Sequence, residues 1–207
     1  KFHKQMGYEV EIIASLFTFD EDGKGGFLEK GSTYINEHGI KVTRLEYKKN
    51  KMSKRLRQYV GTYEAISKSN PDIIFIHGCQ FMDIKHVVKY VKVNPNVRVY
   101  VDNHADFNNS ARNFLSKNIL HKIIWKYCAH LIEPYATKFY GVLPARVDFF
   151  KKVYKIPDEK VDLLVMGVDD DIVEELSQRQ FGIRERYGIK EDDFLIVTGG
   201  KIDNKKL

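Results

Sequence analysis

Residues 70–101 read NPDIIFIHGCQFMDIKHVVKYVKVNPNVRVYV, and this stretch predicts a strand, a helix and a second strand. Residues 73–77 and 97–101 are short apolar runs of the length typical of buried strands. Between them, the apolar residues of segment 82–93 fall on one stripe of a helix. Strands that alternate with helices are typical of a parallel sheet, so the stretch predicts an α/β fold.

The same alternation extends along the chain in both directions. Strand-length apolar runs recur at residues 10–14, 42–45 and 163–166, and helical patterns occupy residues 53–69, 115–131 and 144–154. Pro71 and Pro95 each mark the end of a helix, because proline disfavours helical geometry in the residue before it. We therefore expect a Rossmann-like fold, a mostly parallel sheet with helices on both faces. The runs expected side by side in that sheet are 10–14, 42–45, 73–77 and 97–101.

The composition excludes disordered and membrane-spanning chains. Of the 207 residues, 43% are hydrophobic, which is too many for a disordered chain, and no apolar run approaches the roughly 20 residues of a spanning helix. Lys and Arg number 34 against 28 Asp and Glu, so the net charge is +6. Cys79 and Cys128 lie far apart in sequence, which gives no disulfide framework and favours a reducing compartment.

Both ends predict a chain that is part of something longer. Residues 1–7 are typical of the last turn of a helix closed by Gly7, and residues 194–200 are typical of a buried strand that runs into a double glycine. No pattern assigns residues 20–38, where a glycine-rich loop precedes a segment that suits either a strand or a helical turn.

Polar residues follow three of the predicted strands, at the edge where a doubly wound sheet binds its ligands. His77 begins the first group, and residues 166–171 form the third. The second group is the densest and contains Asp102, Asn103, His104 and Asp106. An alternative interpretation of this group is a polar loop that caps the next helix, with Asn108 or Ser110 as the N-cap.

Asp102, His104 and Asp106 also resemble a metal or acid–base cluster, because carboxylate and neutral imidazole are common ligands and proton carriers. A metal needs a further ligand that the sequence does not nominate, so we expect no metal. The aspartates at residues 169–171 suit a cation as well, but the dipole at a helix N-terminus is a simpler explanation for them.

Three basic features suit anionic partners. Lys201 and Lys206 follow a strand and a double glycine, an arrangement that approaches phosphate closely, although two solvated lysines explain the pair equally well. Residues 41–57 carry eight Lys and Arg against Glu46 alone, for which a solvated face is the default and an anionic membrane the alternative. Nucleic acid is disfavoured, because residues 48–57 contain no aromatic side chain. The helix predicted at residues 115–131 has a basic face formed by Lys117, His121, Lys122 and Lys126.

Three segments in chain order carry a family resemblance: residues 138–146 (KFYGVLPAR), 153–161 (VYKIPDEKV) and 166–169 (MGVD). They are similar to segments of the family 4 glycosyltransferases, which have the GT-B fold. Residues 184–189 (RERYGI), followed by residues 194–202, resemble that family's passage into its second domain. Two positions depart from the family pattern, since Lys201 stands in place of arginine and Met166 in place of asparagine.

The resemblance implies a domain organisation and a set of site residues. Residues 1–180 would be a Rossmann-like acceptor-side domain without its first strand, and residues 190–207 would begin the nucleotide-sugar donor domain. Lys201 and Lys206 would bind the donor diphosphate, and His104 would be the catalytic residue that faces the donor sugar. The other cleft or acceptor residues would be His77, Asp102, Asn103 and Asp106.

The function that the resemblance implies is a retaining glycosyltransferase, which moves a hexose from a nucleoside-diphosphate sugar to a glycan or lipid-linked acceptor in polysaccharide or glycolipid synthesis. The enzyme would need no metal or other cofactor, this chain alone would be inactive, and no nucleic acid would bind. We expect a cytoplasmic location with peripheral contact at the anionic inner face of the membrane. Two alternatives stay open: another Rossmann-type nucleotide-sugar enzyme, similar to an epimerase, and a basic binding module without catalysis.

Overall fold

The structure is a computed structural model that describes residues 1–107, 110, 114, 116–177 and 182–197. The chain divides into two compact units, residues 1–166 and residues 167–207. The strands within the described residues lie in the first unit and are β1 Glu11–Ser15, β2 Phe17–Phe19, β3 Gly25–Phe27, β4 Ser32–Ile35, β5 Lys41–Leu45, β6 Ile73–His77, β7 Arg98–Asn103, β8 Ala136–Gly141 and β9 Val161–Leu163.

Helices alternate with the later strands, as the sequence predicts. The α-helices are α1 Phe2–Gln5, α2 Ser53–Leu56, α3 Thr62–Ser69, α4 Ile84–Val93, α5 Lys126–Ile132, α6 Pro144–Phe149, α7 Asp170–Ser177 and α8 Ile183–Arg186. The π-helical segment Ser116–Trp125 leads into α5, and a second one, Phe150–Tyr154, continues α6. Short 3₁₀ turns occupy Glu133–Tyr135 and Asp158–Lys160.

Strands β6, β7, β8 and β9 form one sheet in that order, and every neighbouring pair in it is parallel. The α/β class predicted from the sequence is therefore confirmed. The apolar runs at residues 73–77 and 97–101 agree with β6 and with most of β7. No apolar run predicted β8. The run at residues 163–166 overlaps β9 only at Leu163, because β9 begins two residues earlier at Val161.

The prediction that the first four apolar runs share one sheet is wrong. Strand β5 lies between β1, to which it is parallel, and β4, to which it is antiparallel, and these three strands form a sheet of their own. Strands β2 and β3 form a separate antiparallel hairpin. Strand β4 falls in the segment that no pattern assigned, and Asn36 closes its turn into β5 by accepting hydrogen bonds from the amides of His38 and Ile40. Apolar runs mark strands, but they do not encode which strands pair.

The main core lies on one face of the four-stranded sheet. Side chains alternate along a strand, so Val99 and Val101 of β7 point to the same side, and both are fully buried. They pack in one cluster with residues of α4, α5 and α6 and with the buried thiols Cys79 and Cys128. The opposite face was also expected to carry helices, but on β6 Ile73 and Phe75 are 40% and 49% exposed there.

The helix predicted at residues 53–69 is interrupted in the structure. Arg57 ends α2 in a left-handed conformation with φ of 53°, and Gly61 precedes α3 with φ of 80°. Between them, Tyr59 forms an isolated antiparallel bridge with Tyr47. A helical pattern in the sequence therefore spans two helices, because a tertiary contact of the backbone overrides the local preference.

The basic face predicted for residues 115–131 is wrong at His121. This side chain is only 5% exposed, whereas Ile123, assigned to the apolar stripe, is 61% exposed. The cause is the π-helical geometry of Ser116–Trp125, whose hydrogen bonds run from residue i to i+5. A stripe drawn with the α-helical period of 3.6 residues does not stay on one side of such a segment.

The predictions for the first and last segments of the chain agree with the structure in part. Helix α1 stops before Gly7, whose φ is 89°, and α7 begins with Asp170 and Asp171 in its first turn, as a helix N-terminus favours. Residues 194–197 form no strand, and the predicted strand continues into residues outside the described part of the chain. Among the described residues, every helix is too short or too polar to cross a membrane.

Candidate functional site

The carboxyl ends of β6 and β7 bring two predicted site residues together. His77 is the last residue of β6, and the parallel register places it opposite Asp102 near the end of β7. Asp102 and the next residue, Asn103, point to opposite faces of the sheet, because side chains alternate along a strand. Asp102 faces the open side with His77, and Asn103 faces the side that the helices cover.

His77, Asp102 and His104 form what we call the edge cluster. The Nδ1–H group of His77 donates to Oδ2 of Asp102 over 2.8 Å, and Nε2 of His104 lies 3.1 Å from the same oxygen. The two imidazole rings are 4.3 Å apart between centroids. Two imidazoles therefore converge on one carboxylate oxygen at the edge of the sheet.

The edge cluster combines a buried carboxylate with accessible imidazoles. The Asp102 side chain is 6% exposed, whereas those of His77 and His104 are 73% and 37% exposed. Oδ1 of Asp102 is buried and has no hydrogen-bond partner in the part of the chain that the structure describes. A buried acceptor without a partner is uncommon in folded proteins, so this oxygen calls for an explanation.

The electrostatics of the edge cluster follow from these contacts. The hydrogen bond to Asp102 raises the pKa of His77, and burial opposes this effect only in part. Burial alone would raise the pKa of the Asp102 carboxyl, but the hydrogen bond from His77 and the contact with His104 outweigh it and lower that pKa. Asp102 is thus held as a carboxylate beneath two imidazoles.

On the covered face, Gln80, Asn103, His121 and Tyr154 form what we call the buried network. Gln80 donates from Nε2 to Oδ1 of Asn103 over 2.9 Å and to the hydroxyl of Tyr154 over 3.2 Å. The Tyr154 hydroxyl in turn donates to Nδ1 of His121 over 2.8 Å. Burial, the larger effect, and the positive charge of Arg57 together lower the pKa of His121 to about 4, so the ring is neutral.

Asn103 anchors the loop that carries His104. Its side chain is fully buried, and it bonds Ala105 twice, accepting from the amide over 3.0 Å and donating to the carbonyl over 2.8 Å. It was predicted as a cleft or acceptor residue, and the structure buries its side chain on the helix-covered face. Its two bonds to Ala105 fix the backbone directly after His104.

The other predicted site residues lie elsewhere. Asp106 lies 3.6 Å from Nε of Arg146 and forms an ion pair with it, and it is not among the three side chains of the edge cluster. Lys201 and Lys206 lie outside the described residues. The sequence did not single out His121, Tyr154 or Gln80 as partners, since residues 74 positions apart carry no local signal of their contact.

Among the residues that the structure describes, the edge cluster is the group of His, Cys, Asp and Glu side chains that could hold a metal ion. One ligand atom from each of His77, Asp102 and His104 lies within 4.8 Å of the other two. The sequence pattern suggested Asp102, His104 and Asp106 as a metal or acid–base cluster and identified no further metal ligand. Strand register supplies His77 in place of Asp106, since β6 and β7 are neighbours although their residues are 25 positions apart.

The basic stretch at residues 41–57 is not one uniform basic face. Lys41 pairs with Glu11 at 2.7 Å, and Lys48 lies 3.5 Å from the buried carboxylate of Asp83. Arg44 donates to the carbonyls of residues 15 and 17, and Arg57 donates to the carbonyl of Gln80. Half of the eight cations thus hold the fold together, which weakens the alternative of a basic binding module.

Comparison with known proteins gives a short match. No protein-family model matches the chain. The chain is 36% identical over 86 residues to a protein of Clostridium kluyveri named glutamate-1-semialdehyde 2,1-aminomutase. The matched segment covers 42% of this chain and 19% of that relative, so the chain spans about a fifth of the length of the curated relative it matches.

The prediction of a retaining glycosyltransferase is wrong by this comparison, because the relative it identifies is named as an aminomutase. The resemblance rested on short segments at residues 138–169 and 184–202, and at two of its key positions the chain departs from the pattern, with Met166 and Lys201. A shared α/β fold does not imply a shared function, so such segments do not establish an activity.

Proposed function

We propose that this chain is part of an enzyme that acts on a small polar molecule, and that the edge cluster of His77, Asp102 and His104 is its substrate site. One observation carries the proposal: two accessible imidazoles converge on one buried carboxylate oxygen. An imidazole oriented by a carboxylate is the arrangement that many enzymes use to handle protons and nucleophiles. In this arrangement Asp102 positions the rings, and the rings contact the substrate.

The place of the cluster in the fold supports the same proposal. In open parallel sheets, ligands bind outside the carboxyl ends of the strands, where His77 and Asp102 lie. The buried network stiffens the floor of the site, since Asn103 fixes the backbone of Ala105, directly after His104. A rigid support beneath exposed polar groups is what a binding site requires.

The proposal defines the substrate only by its size and polarity. The matched relative is named for a reaction of glutamate-1-semialdehyde, a small polar molecule that carries a carboxylate and an amino group. We extend to this chain only that size and polarity. Imidazole N–H groups at an open sheet edge are suited to hydrogen-bond a carboxylate or phosphate of such a molecule.

The experiment is a ligand screen that reads the histidine rings by nuclear magnetic resonance. The untagged chain, kept metal-free with a chelator, is titrated with amino acids, small dicarboxylates, sugar phosphates and inorganic phosphate. At least one class should shift the ring signals of His77 and His104 saturably, while His38 in the turn between β4 and β5 should stay unchanged. His77→Ala should weaken that binding about 10-fold or more, a loss typical of one charge-assisted hydrogen bond.

Two results would contradict the proposal. In the first, no compound of the panel shifts His77 and His104 more than it shifts His38. In the second, a compound does bind, but His77→Ala and the matched control His38→Ala bind it equally well. The finer predictions, a GT-B arrangement and peripheral contact with an anionic membrane, stay predictions.

A further inference from the structure

We propose that His77, Asp102 and His104 bind one divalent first-row transition metal ion, with Zn²⁺ preferred, through Nδ1, a carboxylate oxygen and Nε2. The inference rests on the proposed function, because it places the ion at the same substrate site. The three ligand atoms lie within 4.8 Å of one another. Two imidazole nitrogens and a carboxylate oxygen are a ligand set that zinc enzymes use.

The distances are close to those of a coordinated ion. Zinc bonds of about 2.0–2.2 Å in tetrahedral geometry separate neighbouring ligand atoms by about 3.4 Å. The nitrogens of His77 and His104 now lie 2.8 Å and 3.1 Å from Oδ2 of Asp102. These two separations differ from that value by about 0.6 Å and 0.3 Å, and all three ligand atoms lie within 4.8 Å of one another. The side chain of His77 is 73% exposed and has room to move.

The state of Asp102 supplies an independent reason for the site. Its carboxylate is 6% exposed, and Oδ1 is buried without a hydrogen-bond partner among the described residues. A buried carboxylate is stable when it is fully paired or coordinates a metal. Oδ2 receives both imidazoles while Oδ1 receives nothing, an imbalance that a cation shared by the three side chains relieves, because its charge acts on the whole carboxylate.

The exposure of the cluster fits a catalytic site better than a structural one. Structural zinc sites are closed by four protein ligands, whereas catalytic sites have three and leave one position for water or substrate. The edge cluster offers three ligands and faces the open side of the sheet, with His104 37% exposed. The open position would let the ion polarise a carbonyl or activate a water molecule.

The ligand set also predicts which ions bind. Imidazole suits zinc, cobalt, nickel and iron, while magnesium and calcium prefer sites built of oxygen atoms alone. With two nitrogens among three ligands, the edge cluster should bind Zn²⁺ and discriminate against Mg²⁺. Two imidazoles and one carboxylate also serve iron(II), so Fe²⁺ is a second transition metal to test.

The test is equilibrium dialysis of the untagged full chain against Zn²⁺, with the bound metal measured by elemental analysis. We expect one Zn²⁺ per chain and no displacement by a large excess of Mg²⁺. His77→Ala and Asp102→Asn should each weaken Zn²⁺ binding by more than about 100-fold, beyond the 10–100-fold typical for loss of a group that only supports a ligand. His38→Ala, which removes an exposed histidine outside the cluster, should bind Zn²⁺ like the unchanged chain.

Several outcomes would overturn the inference. They are no bound Zn²⁺ or Fe²⁺ in the unchanged chain, Zn²⁺ binding that His77→Ala leaves intact, and equal binding of Zn²⁺ and Mg²⁺. Circular dichroism and the thermal midpoint establish that each variant is folded, and His77→Ala is the safest variant because its side chain is exposed.

The failure of this inference is distinct from that of the proposed function. The ligand screen is run in chelator, so a small molecule that binds there supports the substrate site without any metal. A chain that binds Zn²⁺ through His77 but no compound of the panel would retain the metal site and reject the substrate class.

Discussion

The end of β7 separates two polar regions that differ in almost every physical respect. Asp102 opens onto the edge cluster, where His77 is 73% exposed and one carboxylate oxygen has no hydrogen-bond partner among the described residues. The next residue, Asn103, enters the buried network, where each side chain has a hydrogen-bond partner within 3.2 Å. Both regions contain histidine, but His121 is buried and neutral, and His77 is accessible and has a raised pKa.

The difference shows how one strand serves stability and function at once. A buried polar network with all partners present stabilises a unique packing, whereas an unpartnered buried acceptor beside open imidazoles costs stability unless something binds there. We therefore expect substitutions in the buried network to lower the free energy of unfolding. Substitutions of the two imidazoles in the edge cluster should change binding and lower that free energy by less than substitutions in the buried network do.

The largest effect is expected at Tyr154. Its side chain is fully buried and packs edge-on against Phe149 and Phe150, with ring centroids 5.3 Å and 5.8 Å apart. Tyr154→Ala should lower the free energy of unfolding by about 4 kcal/mol, since it leaves a cavity of aromatic size. Urea denaturation measures this loss. Tyr154→Phe separates the ring from the hydroxyl and should cost about 1.5 kcal/mol, because His121 and Gln80 lose their partner.

The second prediction concerns pH and His121. Its pKa is about 4 in the folded chain and 6.5 in the unfolded chain, so the unfolded state binds the proton more readily. The stability that this group contributes is complete above pH 6.5 and is lost as pH falls towards 4. The loss should be about 2 to 3 kcal/mol at pH 4.

The control for this prediction is His121→Asn, which keeps an acceptor for the Tyr154 hydroxyl but cannot titrate. The difference in unfolding free energy between the unchanged chain and the variant should narrow as pH falls from 6.5 to 4. A constant difference across that window would show that His121 is already protonated in the folded chain or is exposed there.

The third prediction tests the buried network beside the edge cluster. Asn103→Ala removes bonds to Gln80 and to both backbone groups of Ala105, and should lower the free energy of unfolding by about 2 kcal/mol. Zn²⁺ binding should weaken as well, because the backbone directly after His104 is no longer fixed. Unchanged stability would mean that water replaces the lost bonds.

The smallest effect on stability is expected at His77. Its side chain is exposed, but it donates the hydrogen bond that the buried Asp102 carboxylate accepts, so His77→Ala should lower the free energy of unfolding by about 1 kcal/mol. Thermal and urea denaturation of the metal-free chain measure this. A loss as large as that of Asn103→Ala would place the edge cluster with the stabilising contacts and remove the contrast between the two regions.

Local sequence patterns predicted the α/β class and the edge where the candidate site lies. The run at residues 73–77 coincides with β6, and the polar groups after β6 and β7 do meet, because parallel neighbours end at the same edge. His104 and Asp102 are two positions apart in the sequence, so their contact could be predicted from the sequence alone.

Several of the errors come from contacts between distant parts of the chain, which local patterns do not report. Asp106 turns to Arg146, 40 positions away, and no periodicity reports this. Helical spacing at residues 53–69 could not reveal that Tyr59 bridges to Tyr47 and splits the helix. Strand β8 mixes lysine, tyrosine and threonine with apolar residues, because its two faces have different environments. A search for continuous apolar runs therefore does not find it.

The two buried thiols can report how often the main core opens. Cys79 and Cys128 are completely buried in the main core, and burial raises the pKa of both, that of Cys128 to about 12. A thiol-specific reagent needs an accessible thiolate, so it can react only during moments when the surrounding core opens. The alkylation rate of the unmodified chain therefore measures how often the core opens. A ligand bound at the edge of the sheet should lower that rate, and the measurement needs no label or substitution.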